Sequence, residues 1–185
     1  MQGFRFIQVE RDSIKGIQAV RDLLYSVWNM YPDYDYDSEI QSATAVFALI
    51  DESTNKFVAC ATFHPDIVHL KSYGNTSNTS EISNVDNSEY KVNTGTRAVL
   101  LHLAVHKDYR GRGIAKYVMR QSMMHDKLSD TTLLLKVHEN NHVAMNLYDS
   151  LGFDRCEYDQ YLFHQVIEGS NGGYVMIKSS TRTPT

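Results

Sequence analysis

Apolar and polar positions divide the chain into blocks whose period predicts their structure. Residues 4–9, FRFIQV, alternate apolar and polar, which predicts a first strand. Across residues 12–28, Ile14, Ile17, Val20 or Arg21, Leu24 and Val27 recur at helical spacing, and Asp12 or Ser13 stands where a cap is needed. Pro32 breaks that pattern. The short apolar runs 45–50 and 57–63 flank the polar turn DESTNK and predict a hairpin of buried strands. From 72 to 96 the chain is mostly Asn, Ser, Thr, Gly and charge without a period, which predicts a flexible insertion.

The run 97–105 is the most continuously apolar and predicts a central strand. A helix follows over 113–127, with Ile114, Val118, Ser122 and His125 as its stripe, flanked by Ala115 and Met119. Residues 131–137 predict a strand. Residues 143–150 predict a short helix with Ala144, Leu147, Tyr148 and Leu151 on one face and Gly152 as its stop. Strands over 153–163 and 173–177 flank the turn chemistry of EGSNGG. Residues 179–185 read as a loose tail. Early strands pair as hairpins and later ones alternate with helices, so the expectation is an α/β (α+β) domain with a mixed sheet, one domain over 1–178.

Composition narrows the function. A net charge of −4 argues against nucleic acid as a partner, since phosphate binding needs a basic field. The N-terminal stretch lacks the apolar core of a signal peptide and no run is long enough to cross a bilayer, so no membrane association and a cytoplasmic setting are expected. Cys60 and Cys156 suggest no disulfide framework, and the eight histidines show no ligand spacing, so no metal is expected.

The chemistry concentrates in HKDYRGRGIAKYVMRQSMM, residues 106–124, where the central strand gives way to a helix. A helix N-terminus presents unpaired amides and partial positive charge, glycines let a ligand approach them, and Arg110, Arg112 and Lys116 add charge. Strand, glycine-rich turn and helix together make a phosphate or pyrophosphate site. The alternative is that the glycines only tighten a turn and the arginines are solvated surface. A Walker loop needs Gly-Lys-Ser/Thr, and Gly113 is followed by Ile114 and Ala115. The dinucleotide fingerprint needs a third glycine and a first-strand position.

RGRGIA, residues 110–115, resembles the Arg/Gln-x-x-Gly-x-Gly/Ala signature of the GNAT acetyltransferase superfamily, and NHVAMNLYDSLGF, residues 141–153, is similar to its second signature, Asn-x-x-Ala-x-x-Leu-Tyr-x-x-Leu-Gly-Phe, at every named position. In kind the chain is most similar to protein N-terminal acetyltransferase catalytic subunits. The resemblance implies a GNAT fold: a central, mixed, mostly antiparallel sheet of about seven strands, flanked by about four helices and splayed between the fourth and fifth strands. It also implies acetyl-CoA as cofactor. The loop Arg110, Gly111, Arg112, Gly113, Ile114, Ala115 and Lys116 would wrap the pyrophosphate, and the backbone of Leu103, Ala104 and Val105 would pair with the pantetheine arm. Asn141 would bond the pantetheine, Val105 would offer an N–H to the thioester oxygen, and Tyr148 would protonate the leaving sulfur, with Tyr161 as the next candidate. The usual base positions of such enzymes are Val99 and Lys136 here, so His102, His138 and Glu139, or a water relay, stand as substitutes.

Two stretches would flank the acceptor, NMYPDYDYDSEI after the first helix and YDQYLFHQVIEGSNGGYVMI at the end. They supply Tyr31, Tyr34 and Tyr161 as acceptor-binding candidates, and acidic groups suited to a cationic amine. The same residues also fit a solvated acidic turn and a charge-protected sheet edge. The expected acceptor is a peptide or protein N-terminal α-amine, against a small amine such as a polyamine, aminoglycoside or amino acid, or a non-catalytic acetyl-CoA-binding module. The chain would act as a monomer or homodimer.

Overall fold

A computed structural model describes residues 1–28, 34–65, 96–159 and 172–180. The expected insertion over 72–96, apart from its last residue, and all but the first two residues of the expected tail, lie outside the described residues. The described elements are β1 (Phe4–Gln8), α1 (Ile14–Val27), α2 (Tyr36–Ser42), β2 (Ala45–Asp51), β3 (Lys56–Pro65), β4 (Arg97–Val105), a 3-10 turn (Lys107–Tyr109), α3 (Ile114–Met124), β5 (Thr132–His138), α4 (His142–Asp149), β6 (Asp154–Asp159) and β7 (Gly173–Lys178). The seven strands form one open sheet in the order β1-β2-β3-β4-β5-β7-β6. Every pairing is antiparallel except β4 with β5.

Alternation along the strands sends side chains to two cores, one on each face. Phe47, Leu49, Phe63, Leu133, Leu135 and Val137 pack with Ile114, Val118 and Met119 of α3 and Tyr148 of α4. Val46, Ala48, Cys60 and Ala104 pack with Ile17, Val20 and Leu24 of α1 and with Tyr36 and Ile40 of α2. Cys60 is fully buried and burial pushes its thiol up to about 12, so it serves as packing and not as a nucleophile.

β4 carries the feature that positions the site. Thr62 pairs with His102 but Phe63 pairs with Leu100, so Leu101 is an extra residue against β3. Such a bulge bends its strand and increases the local twist. Parallel pairing to β5 runs from Arg97↔Thr132 to Leu100↔Leu135 and stops there. The bulge also changes phase: Ala98 and Leu100 face the α3 core, and so do Leu103 and Val105. In unbroken alternation His102 would share the face of Leu100; with Leu101 left out of the β3 pairing, His102 instead turns to the α1–α2 face, as Ala104 does.

Three expectations from patterning are corrected. The stretch after Pro32 is not all loop, because α2 forms from Tyr36, with the Asp35 side chain accepting from the Ser38 amide at 3.1 Å and Asp37 and Glu39 in the first turn. Both are favourable at a helix N-terminus. The helix expected over 113–127 ends at Met124, since His125 is extended (φ −74°, ψ 141°). Ile14, expected on the buried stripe of α1, is the helix's first residue and is 71% exposed, while Ile17, Val20 and Leu24 are buried. The strand expected over 153–163 is described as β6 to Asp159, and its remaining residues lie outside the described residues.

α1 starts against β1 so closely that only a residue without a Cβ fits at Gly16. A Cβ there would stand 2.8 Å from both Ser13 Oγ, the N-cap oxygen, and Val9 Cγ1. Alanine normally improves a helix interior by roughly 1 kcal/mol over glycine. Here the lost cap, about 1 kcal/mol, and the displaced buried Val9 outweigh that gain. Gly16→Ala is expected to lower stability in urea unfolding, and a rise would show that the helix start relaxes freely.

Candidate active site

The gap between β4 and β5 opens where Leu101 ends their pairing. The His106 amide donates to the Val58 carbonyl of β3 at 2.8 Å. Polar groups of successive strand residues alternate in direction, so those of Ala104 point to β3 and those of Leu103 and Val105 point into the gap. Among the described residues no strand pairs with them there. The Val105 carbonyl instead accepts from Arg110 Nε at 3.1 Å, which leaves the Val105 N–H and both polar groups of Leu103 along an open edge. Ala104, expected to share this role, is turned away from it.

At the end of β4 the chain turns through Lys107–Tyr109 into α3. Gly111 (φ +75°) and Gly113 (φ +73°) take left-handed conformations, which glycine alone adopts without strain, and a Cβ at either would meet nothing within 4 Å. Gly113 caps α3 without any side-chain hydrogen bond, so the first-turn amides, those of Ile114, Ala115 and Lys116, have no side-chain cap. Arg112 Nη2 donates to the Asp108 carbonyl at 3.0 Å, and its guanidinium lies 5.2 Å from the centre of the Tyr109 ring. The Tyr109 hydroxyl donates to Asp51 Oδ2 at 2.7 Å, tying the turn to the end of β2. The arginines thus brace the loop while adding positive charge, and the amides remain for an anion. This fits the diphosphate of a nucleotide-type cosubstrate.

Tyr148 on α4 is 8% exposed and packs edge-on against Phe153 at 5.8 Å. Burial raises its phenol above the ordinary value, so it stays protonated at neutral pH. Asn141 caps α4, its Oδ1 accepting from the Ala144 amide at 3.1 Å, which leaves its side-chain NH2 as donor.

The structure separates the three candidate bases. His138 Nδ1 accepts from the Asn140 amide at 3.0 Å, a local turn bond. Glu139 Oε2 accepts from the Tyr158 hydroxyl at 2.6 Å, and the Tyr158 ring packs at a tilt against that of Tyr174 of β7, 5.2 Å between centroids. His102 is enclosed by Trp28 (5.4 Å) and Tyr36 (5.6 Å). Its Nδ1 shares a hydrogen bond with Thr62 Oγ1 at 3.0 Å, and its Nε2 lies 3.3 Å from Glu39 Oε2. The side chains of His102 and Glu39 are 12% and 10% exposed.

Glu39 was not a candidate from sequence. It stands three residues after Tyr36 and beside Ile40, on the inner face of a helix that the pattern did not show. Burial pushes its carboxyl up to about 7; the Tyr34 hydroxyl bond pulls the other way and nearby Asp35 adds to the rise. Tyr34 Oη is 2.6 Å from Glu39 Oε1. Lys136, at a usual base position, is half-buried on β5; burial lowers its ammonium, while Asp159 and Glu157 act in the opposite sense. Tyr31 and Tyr161 lie outside the described residues.

No helix among the described residues is long and apolar enough to cross a membrane. A search of curated proteins finds no match to the sequence. Several solved structures share its fold. The ribosomal-protein-S18-alanine N-acetyltransferase from Escherichia coli superposes with a TM-score of 0.67 at 16% identity, over 98% of this chain and 96% of that one. Arabidopsis thaliana NAA60 in complex with acetyl-CoA gives 0.65 at 18% identity, over 95% and 99%. Arabidopsis thaliana Naa50 in complex with the bisubstrate analogue CoA-Ac-MVNAL gives 0.63 at 17% identity, over 96% and 99%. A family model described as "Acetyltransferase (GNAT) family" matches residues 17–153. With that match, the parallel β4–β5 pair that stops at Leu100 and the uncapped start of α3, the chain belongs to the GNAT acetyltransferase family, with acetyl-CoA as its cosubstrate.

Proposed function

We propose that this protein transfers the acetyl group of acetyl-CoA to a primary amine, and that its acceptor is the N-terminal α-amine of a peptide or protein. The observation that carries the reading is the β4–β5 gap. An uncapped helix N-terminus stands where the chain leaves β4, and a buried carboxylate–imidazole pair lies on the opposite face of the sheet. Two aromatic groups suit a peptide backbone beyond the amine: Tyr34 ahead of α2, and the Tyr158–Tyr174 pair on β6 and β7. Structural neighbours whose names carry a ribosomal-protein alanine or the bisubstrate analogue CoA-Ac-MVNAL support a peptide or protein acceptor. A cytoplasmic setting suits a protein acceptor of this kind. Asp35, Asp37 and Glu39 are equally suited to a small cationic amine, the competing reading.

In this reading the amine nitrogen attacks the thioester carbonyl, an N–C bond forms and the C–S bond breaks. The Leu103 backbone and the Val105 N–H hold the pantetheine arm and the carbonyl oxygen, where preorganised donors lower the barrier most. Arg110, Gly111, Arg112, Gly113, Ile114, Ala115 and Lys116 hold the diphosphate, and the Asn141 side-chain NH2 bonds the pantetheine. The Tyr148 phenol gives its proton to the departing sulfur. The amine must arrive or become neutral, so a proton leaves on the acceptor face, where His102 lies one residue past the bulge.

Mass spectrometry of products from a mixed panel of peptides and small amines with acetyl-CoA tests the acceptor. Acetylated peptide α-amines are expected. Products confined to polyamines, aminoglycosides or free amino acids would replace the peptide reading with the small-amine one. Tyr148→Phe removes one hydroxyl and little volume. Its kcat is expected to fall by about 10²-fold, the scale of a positioned acid, while CoA still raises the Tm. Full activity in that variant would make Tyr148 a packing residue.

A further inference from the structure

We propose that Glu39 is the group that accepts the amine's proton, reached through the Tyr34 hydroxyl and held in place by His102; this rests on the reading of the protein as an amine acetyltransferase. The four side chains form a line. Thr62 Oγ1 meets His102 Nδ1 (3.0 Å), His102 Nε2 meets Glu39 Oε2 (3.3 Å), and Tyr34 Oη meets Glu39 Oε1 (2.6 Å). Thr62 is fully buried, whereas Tyr34 is 37% exposed. Of the four, Tyr34 is thus the member that an acceptor reaches, and His102, with both ring nitrogens engaged, acts from behind. The segment that carries Tyr34 is itself anchored, since the Tyr25 hydroxyl of α1 donates to the Tyr34 carbonyl at 2.7 Å.

The same pair could serve only to dock α2 on β4, but magnitudes argue otherwise. A buried polar pair is weak as a staple, and an apolar pair of similar volume does as well or better. α2 already docks through Tyr36 and Ile40. Among the described residues no lysine or arginine pairs with Glu39: Arg21 of α1 bonds Asp22 and Asp37 instead. The titratable groups around it are Tyr34 and Asp35 from the segment leading into α2, Tyr25 and Arg21 from α1, Tyr36 and Asp37 of α2 and His102 of β4; β3 contributes the neutral Thr62. With its carboxyl at about 7, Glu39 is poised to take and return a proton at neutral pH.

The step balances without another reactant. As the attacking nitrogen becomes cationic, its N–H bond breaks and an O–H bond forms at Tyr34. Tyr34's original O–H bond breaks and a new one forms at Glu39 Oε1. His102 Nε2 lies 3.3 Å from Oε2 and takes no proton in this step, so it is a positioning residue. Solvent later removes the proton by the reverse route.

Glu39→Gln keeps the shape and an acceptor for the Tyr34 hydroxyl but cannot be protonated at this step. With whichever amine wild type acetylates, kcat should fall about 10²-fold, KM for acetyl-CoA should hold, and the acid limb of the pH profile near 7 should vanish. Glu39→Asp should restore part of the limb, and Tyr34→Phe, a change at the surface, should reproduce the loss. Glu39→Gln with wild-type rate and acid limb, or Tyr34→Phe with both intact, overturns the proposal while the acetyltransferase reading stands. A wild type that acetylates small amines alone, with the limb lost in Glu39→Gln, overturns the peptide acceptor and supports Glu39. A wild type inert toward every amine overturns both.

Stability supplies a readout without turnover. The folded carboxyl holds its proton more tightly than the unfolded one, so its contribution is present below about 4.5 and is lost as pH rises through about 7. Glu39→Gln should therefore gain stability relative to wild type between pH 4.5 and pH 8 in urea unfolding. A constant difference across that range would mean that Glu39 is solvated, and the proposal would fall.

Discussion

The extra residue in β4 is the constraint on which the rest depends. A central parallel strand normally has both edges occupied, and up to Leu100 this one does. Leu101 adds a residue against β3 alone, so β4 cannot follow β5 any further. Unpaired backbone groups inside a sheet are costly unless something bonds them. The gap therefore comes with a demand for a polar, strand-like partner, which an extended amide-bearing chain supplies. Because Leu101 is left out of the pairing with β3, unbroken alternation stops there and His102 falls on the face opposite Leu100. One bulge thus comes with both an open backbone edge on β4 and a polar side chain on the α1–α2 face.

The glycine loop depends on that geometry. An anion held at a helix N-terminus gains from amides that point at it together. α3 begins where β4 ends because Lys107–Tyr109 turns the chain within a few residues, and Tyr109 fixes the turn to Asp51. Arg110 reaches back to the Val105 carbonyl, so the loop and the open edge share a side chain. A displacement of the loop would alter how the end of the edge is satisfied.

Much of this was legible in the residues. Periodic runs marked all seven strands and α1, α3 and α4, because each buries a stripe that its period reveals. α2 was not visible, for it has only seven residues and two buried ones, and acidic residues and tyrosines around Pro32 read as a turn. The bulge was invisible for a different reason: AVLLHLAV is apolar almost throughout, so nothing in its pattern registers a change of phase. His102 was recognisable as a candidate, but not its partners. Glu39 and Thr62 meet it only through the packing of α2 on the sheet and the register of β3, and neither is encoded in local spacing. Family resemblance pointed to Val99 and Lys136 for the base. Val99 is apolar, and Lys136 is half-buried near Asp159 and Glu157, so neither position carries the residue type the resemblance leads one to expect.

Burial links the elements of that replacement. The rings of Trp28 and Tyr36 keep water from His102, and the same packing raises the proton affinity of Glu39. A solvated glutamate would be too weak a base to compete for a proton near neutral pH, and a fully sealed one would have no route for exchange. Tyr34 resolves this by placing one hydroxyl between the carboxylate and the surface. Truncating either Glu39 or His102 would leave polar atoms of the other buried without their neighbour, a loss of about 1–3 kcal/mol for an unsatisfied buried group. The two residues therefore constrain each other structurally, and a change that removes only the proton chemistry must keep the shape of both.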